Sequence, residues 1–487
     1  MLNVHVRIND AATGQPTPCR LRICDQAGRH YAPLGFSPDF PRGRNEDVGG
    51  RVAIGNEIWF YIDGWCEIPL PSGMPLVIEA WCGPESPPLR KEVTLAPGQM
   101  ALRFTVERSR DEAPPGWYSG DVRCHFLSPH SALLEARAEG LSVVQVLAEE
   151  TTFAAQDGLS YRITPNLLAF SGQTPLLERP GTIVCVNTLN EHPVLGRLAL
   201  LHCHRPVFPL TFGGTESTDD WSLADWCDQC HRKRGLVVWV DALRPDAVVP
   251  GEGWADLVLG RVDAVEVTPE TIRPRDWYRV WNAGIFFPLV GSSGKDSNRV
   301  CLGSMRTLAH LPPSTPFSLD SWIEALRSGR TVATTGPAIE LEVGGRQPGE
   351  SLDLAEPGRE VEISATLRMV QSVSGHLEIV VDGDVIARQA GTEGGTKVRA
   401  IRRFDESGWV AARFVGANIR NQFAHSSPVP VSIRGQRRRD AAAAEYIQKQ
   451  IQKTLDWAMT HGRFEKPRRR DQLLGLLQQA RDALNAG

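Results

Sequence analysis

Between residues 117 and 337, short and almost wholly apolar runs alternate with stretches of helical period, and this alternation limits the fold more than any other feature. Leu141-Ser142-Val143-Val144-Gln145-Val146-Leu147 is followed by similar runs at 181–186, 197–201, 236–240, 264–267 and 285–290. Helical intervals at 131–140, 221–234, 275–283 and 319–328 separate several of them. A strand that is apolar on both faces must be covered on both faces, so the pattern predicts an α/β unit: a parallel sheet or barrel with helices outside it. In such folds ligands and metals gather beyond the carboxyl ends of the strands. The opening strand of the series runs into Arg123-Cys124-His125, which puts His125 at such an end.

The flanks have a different period. Residues 1–110 alternate apolar and polar positions in short runs punctuated by Pro and Gly, as at Val4, Val6 and Ile8, and read as a small β-sandwich. The Asp39-to-Gly55 stretch reads as a long surface loop. Asp111-Glu112-Ala113-Pro114-Pro115-Gly116 reads as a linker into an α/β domain over 111–338. After Gly336-Pro337 the two-residue period returns, predicting a second β-sandwich over 339–432 with an Asp382-Gly383 hairpin turn. Residues 433–487 read as a helical tail, with apolar positions such as Ile447, Ile451, Leu455, Leu473 and Leu477. A chain of 487 residues has room for three or four such domains.

Charge and composition exclude several classes of function. The formal net charge is −4, which argues against an electrostatic footprint for nucleic acid; the basic clusters at 434–439 and 466–470 lack interleaved aromatics and read as solvated caps. No apolar run approaches the roughly 20 residues that cross a bilayer. The N-terminus alternates like a strand and does not resemble a secretion signal, so a cytoplasmic location is expected. Ten scattered cysteines do not make a disulfide framework. Cys227-Asp228-Gln229-Cys230-His231 matches the haem-attachment spacing, but it falls within a helical interval and reads as a helix with two cysteines.

Several ordered stretches carry a resemblance. Trp117, Gly120, Asp121 and His125, then Val194-Leu195-Gly196, Gly235-Leu236-Val237-Val238, Gly291 with Lys295, Gly329 to Pro337, and His425-Ser426-Ser427-Pro428-Val429 follow one another as in the PHP superfamily of metal-dependent hydrolases. Within it the chain resembles the CehA/McbA-type branch. The resemblance implies a distorted TIM-type (PHP-like) barrel flanked by β-sandwiches. It also implies hydrolysis of phosphate esters or related bonds by water activated on two or three metal ions held by His and carboxylate ligands.

Most of the ligands that the resemblance implies are replaced. The opening His-x-His reads Arg123-Cys124-His125, and an arginine that stays protonated cannot hold a cation. Ala148-Glu149-Glu150 stands where an Asp-His is implied, Leu189 and Arg197 where a Glu and a His are, Asp241 where a strand-end His is, and Gly294 where an Asp follows Gly291. His125 and Asp241 remain as metal candidates, with His204 (of His202-Cys203-His204) and Asp296 as further ones. Arg123 and Arg197 are expected to take the former cation positions, paired with Asp241 and with Glu149 or Glu150, and to form an anion-binding set with Lys295. Gly291-Ser292-Ser293-Gly294-Lys295 lacks the spacing of a phosphate loop.

The expected function is therefore that of a metallohydrolase-like pseudoenzyme with a binding or scaffold role. No catalytic residue is assigned and no cofactor is expected. The partner would be a protein or a small anionic ligand rather than a membrane or nucleic acid. The alternative is an active metal-dependent phosphoesterase with a rearranged site, which would use Zn, Mn or Fe.

Overall fold

The computed structural model describes residues 1–108, 116–154, 160–214, 217–244, 246–369, 374–392 and 395–485. Residues 111–115 of the expected linker lie outside them. The N-terminal region forms two sheets. Leu2–Asp10 lies between Trp65–Leu70 and Ala101–Val106, and the other sheet is centred on Cys19–Asp25, Glu57–Ile62 and Pro75–Trp81. Alternate residues of both, among them Val4, Val6, Ile8, Leu21, Ile23 and Ile78, share one buried core, as the two-residue period requires.

The largest sheet belongs to the α/β region. Its order runs Leu289–Gly291, Ala264–Val267, Leu236–Val240, Gly196–Leu201, Thr182–His192, Val143–Ala148, Trp117–Cys124, Arg306–His310 and Thr331–Thr334. The expected parallel arrangement holds only from Leu289–Gly291 to Leu236–Val240 and from Thr182–His192 to Trp117–Cys124. Arg306–His310 is antiparallel to both Trp117–Cys124 and Thr331–Thr334, and Gly196–Leu201, between the two parallel runs, is antiparallel to both its neighbours. The cause is local. His192 to Gly196 is too short a connection for a parallel crossover, and His192 Nδ1 accepts from the backbone N–H of Val194 (3.2 Å) and Leu195 (3.1 Å), holding a tight reversal.

The sheet curls but no closed barrel forms among the described residues. Where Leu289–Gly291 meets Arg306–His310 and Thr331–Thr334, side-chain hydroxyls replace a ladder. Thr307 Oγ1 accepts from Gly291 N (2.8 Å) and donates to Gly291 O (2.9 Å). Thr331 Oγ1 donates to Leu289 O at 2.8 Å, and Ser427 Oγ accepts from Leu289 N at 2.9 Å. Gly291 is obligatory at this seam, because a Cβ there would stand 2.2 Å from Arg306 O.

The helices sit close to their expected places, at Pro129–Ala138, Leu223–Arg232, Pro274–Asn282 and Leu319–Ser328, with a short Gly253–Val258 helix in addition. The expected 285–290 strand shortens to Leu289–Gly291. The same sheet then continues into the C-terminal β-region, since Val332 pairs with Ser426 and Thr334 with Ala424. There Gly375–Val381 and Gly408–Gly416 bury residues against Ala338–Val343, Arg359–Arg368 and Thr396–Phe404. The tail forms two helices, Ala441–Thr460 and Pro467–Asn485. Asp440 caps the first by accepting from Ala443 N at 2.8 Å. Ile447, Ile451, Leu473 and Leu477 pack into the core that holds Trp254 and Trp277, so the tail is docked on the α/β region. No helix among the described residues is long and apolar enough to cross a membrane.

A glycine substitution at the seam and one in the tail helix have opposite expected signs. Gly291→Ala should cost about 1–3 kcal/mol through overpacking. Gly475→Ala, on an exposed helix position with nothing within 4 Å of a new Cβ, should gain about 0.5–1 kcal/mol. Urea unfolding midpoints of the two variants read both effects.

Candidate functional site

The site is built on the strand Trp117–Cys124, which buries six of its residues in a row. Asp121, beneath the site, accepts from Ser293 N (3.1 Å), Gly303 N (2.9 Å) and Arg123 N (3.2 Å), and so locks the loop after Gly291 against the strand. Burial pushes its carboxyl up to about 6 despite those donors. The side chains that follow it into the site are Arg123 and His125.

Arg123 crosses the concave side of the curled sheet. Its Nε donates to Glu266 Oε1 at 2.6 Å and its Nη2 to Glu266 Oε2 at 2.9 Å, a two-point pair with both residues buried. Four strands lie between the two partners in the sheet order, so only the curl brings them together. Arg123 Nη2 is also 3.6 Å from Asp241 Oδ1. Burial acts to lower the guanidinium pKa, but Glu266 and then Asp241 hold it above its ordinary value. Ser292 Oγ donates to Glu266 as well, and Asp241 N lies 3.4 Å from Glu266 Oε2.

Arg197 enters from the other side. Because its strand is antiparallel, its first residues lie beside the carboxyl end of Leu236–Val240, with Arg197 opposite Val240. There Arg197 Nη1 donates to Asp241 Oδ2 (2.8 Å) and Nη2 to Glu149 Oε1 (3.3 Å), while Nε is 3.5 Å from Glu191 Oε2. Asp241 follows the strand with φ of 50°, a left-handed conformation that Asp tolerates better than most residues. Burial acts to raise its carboxyl pKa, but Arg123, Arg197 and Arg244 hold it below the ordinary value.

A third guanidinium comes from the N-terminal region. Arg44 pairs with Glu149 and donates to Asp296 Oδ2 at 3.2 Å, with Phe126 beneath it at 5.2 Å. Arg44 lies in the expected surface loop, whose last part, Arg51–Ile54, is a strand; Asn298 pins the loop, donating through Nδ2 to Pro41 O (3.0 Å) and Asp47 O (2.9 Å).

The structure thus brings together Arg123, Arg197, Asp241, Glu149, Asp296 and His125. It leaves the other candidates elsewhere. Lys295 is fully buried and donates to Val300 O at 2.7 Å, near Glu135, which makes it a loop anchor. Glu150 pairs with Arg162. His204 is exposed and bonds to Lys233 O, because the strand preceding it runs antiparallel and delivers His202-Cys203-His204 to the opposite end of the strands. Glu266 and Arg44 were not foreseen. A lone acid in the buried strand Ala264–Val267 is a readable signal, since a buried charge needs a partner; nothing local marks Arg44.

A divalent cation does not fit these residues. Each carboxylate that faces the site already meets a guanidinium, and among the described residues no three of His, Cys, Asp and Glu converge as a metal-holding group. His125 is the one imidazole present, 2 % exposed. Its Nδ1 lies 3.1 Å from Glu149 Oε2, but neither ring nitrogen makes an aligned hydrogen bond among the described residues. Burial first, then Arg123, Arg197 and Arg44, push its pKa well below 6.5, so the ring is neutral. No protein-family model matches the chain, and no curated protein matches it.

Two measurements probe the network. Arg123→Ala leaves Glu266 buried without its counter-ion and should cost about 3–5 kcal/mol in chemical denaturation. Arg123→Lys should restore only part, as an ammonium cannot make the two-point pair. His125 has a folded pKa below its unfolded value of 6.5, so the unfolded chain takes up the proton first and stability is lost as pH falls below 6.5. The stability difference between wild type and His125→Gln should therefore shift against wild type from about pH 7.5 to about pH 5, by at most about 1.4 kcal/mol per pH unit.

Proposed function

We propose that this chain is a non-hydrolytic relative of the PHP-type metallohydrolases. In this reading the curled sheet is a distorted barrel of that type, and an arginine–carboxylate network stands in place of the metal centre. The observation that carries this reading is the Arg123–Glu266 pair, with a guanidinium bound at two points where the resemblance implies a ligand for a cation. Fixed positive charge on Arg123 and Arg197 neutralises the carboxylates that a metal would otherwise hold, but it has no lone pair to bind a metal and no water to activate.

A scaffold role suits the geometry better than capture of a free anion. Arg123 is committed to Glu266 and Asp241, and Arg197 to Asp241, Glu149 and Glu191. Arg44 joins the N-terminal region to the same network. The site therefore ties two regions of the chain together and leaves outer surfaces for a protein partner.

Metal content and turnover of bis(p-nitrophenyl) phosphate test the proposal. The purified chain, offered Zn, Mn or Fe(II), should retain far less than one metal per molecule and show no chelator-sensitive hydrolysis. Near-stoichiometric metal together with hydrolysis that is lost in His125→Ala would overturn it and favour a rearranged active centre.

A further inference from the structure

At the opposite end of the strands, away from the arginine network, two thiols meet. Cys203 Sγ and Cys230 Sγ are 3.3 Å apart and both are buried. Cys203 follows the strand Gly196–Leu201, and Cys230 lies in the helix Leu223–Arg232. Gly235 makes their approach feasible: a Cβ on it would stand 2.4 Å from Cys203 Sγ and 2.5 Å from Cys230 Sγ. The glycine thus leaves the room that the sulfur pair occupies. Cys227, one turn earlier on the same helix, makes no such sulfur contact among the described residues.

We propose that Cys203 and Cys230 are an oxidisable pair that closes to a disulfide when the protein meets a hydroperoxide. Cys203 is the sulfur that reacts first. It sits in a turn between half-buried His202 and exposed His204, anchored by His202 N to Asn187 Oδ1 at 2.9 Å and by two solvent-exposed contacts, His202 Nε2 with Asp320 Oδ1 at 2.8 Å and His204 with Lys233 O. Such turns open locally at a free energy well below that of global unfolding. Cys230 is inside a helix, where burial raises its thiol pKa well above the ordinary value.

The chemistry balances with one peroxide. The Cys203 sulfur attacks a peroxide oxygen, the O–O bond breaks, and the leaving alkoxide departs as the alcohol (water for hydrogen peroxide) with the Cys203 proton, giving a sulfenic acid. The Cys230 sulfur then attacks Cys203 sulfur, the S–O bond breaks, and hydroxide leaves as water with the Cys230 proton. Two thiols are oxidised and one peroxide is reduced. The product staples the turn after the strand to the helix that follows it in the chain.

The full-length protein treated with hydrogen peroxide, then alkylated and mapped by mass spectrometry, tests this. The expected result is a mass loss of two hydrogens, a cross-linked peptide joining Cys203 to Cys230, and reversal by dithiothreitol, with circular dichroism unchanged. Cys227→Ser should keep the link, while Cys203→Ser and Cys230→Ser should each abolish it. The wild-type map decides even if a variant fails to fold. A folded protein with no such cross-link, a link lost in Cys227→Ser, or Cys203 recovered only as sulfinic acid would overturn the proposal.

Discussion

The buried two-point ion pair between Arg123 and Glu266 is the interaction on which the centre of this molecule depends. Its partners come from strands that are far apart in the sheet order, so the pair exists only while the sheet keeps its curl. Buried pairs of this kind rarely add stability over an apolar equivalent, because desolvation offsets most of the attraction. What they do strongly is penalise any arrangement that separates the charges. The pair therefore acts chiefly as a constraint on geometry, and Asp241, Ser292 and Arg197 extend the same constraint outward.

The hydroxyl seam serves the curl from the other side. Thr307, Thr331 and Ser427 satisfy backbone groups that a closed ladder would pair, which lets the sheet bring its first strand against later ones without a continuous register. Gly291 permits the close approach. The site is thus framed by three local devices: a missing Cβ, a set of hydroxyls, and an ion pair. The tail helices and the Arg44 loop that Asn298 pins add further contacts, from regions whose local period alone does not place them.

Much of this was legible from residues. Most buried strands were marked by their apolar runs, the helices by period and caps, and Arg123 by its place at the end of the first strand of the series. The pairing of Arg123 and Arg197 with Asp241 and Glu149 follows from charge: buried carboxylates at strand ends need counter-ions, and those arginines were the cations nearest in the pattern. The misplacements have different causes. His204 follows the one reversed strand, Gly196–Leu201, which carries its amino end to the site and its carboxyl end away from it; Lys295 follows a strand of the expected direction, but its buried ammonium is taken up by Val300 O and Glu135.

By itself the sequence determined the apolar strands and most of the helices of the α/β region, that Arg123 and His125 stand together at the end of one strand, and that carboxylates near strand ends would seek guanidinium partners. These are consequences of local period and of the chemistry of single side chains. Only the tertiary structure decided that Glu266 is the principal partner, that Arg44 arrives from the N-terminal region, and that Cys203 meets Cys230. Each of those depends on strand direction, sheet curl or loop docking, and such long-range geometry leaves no periodic mark on the chain.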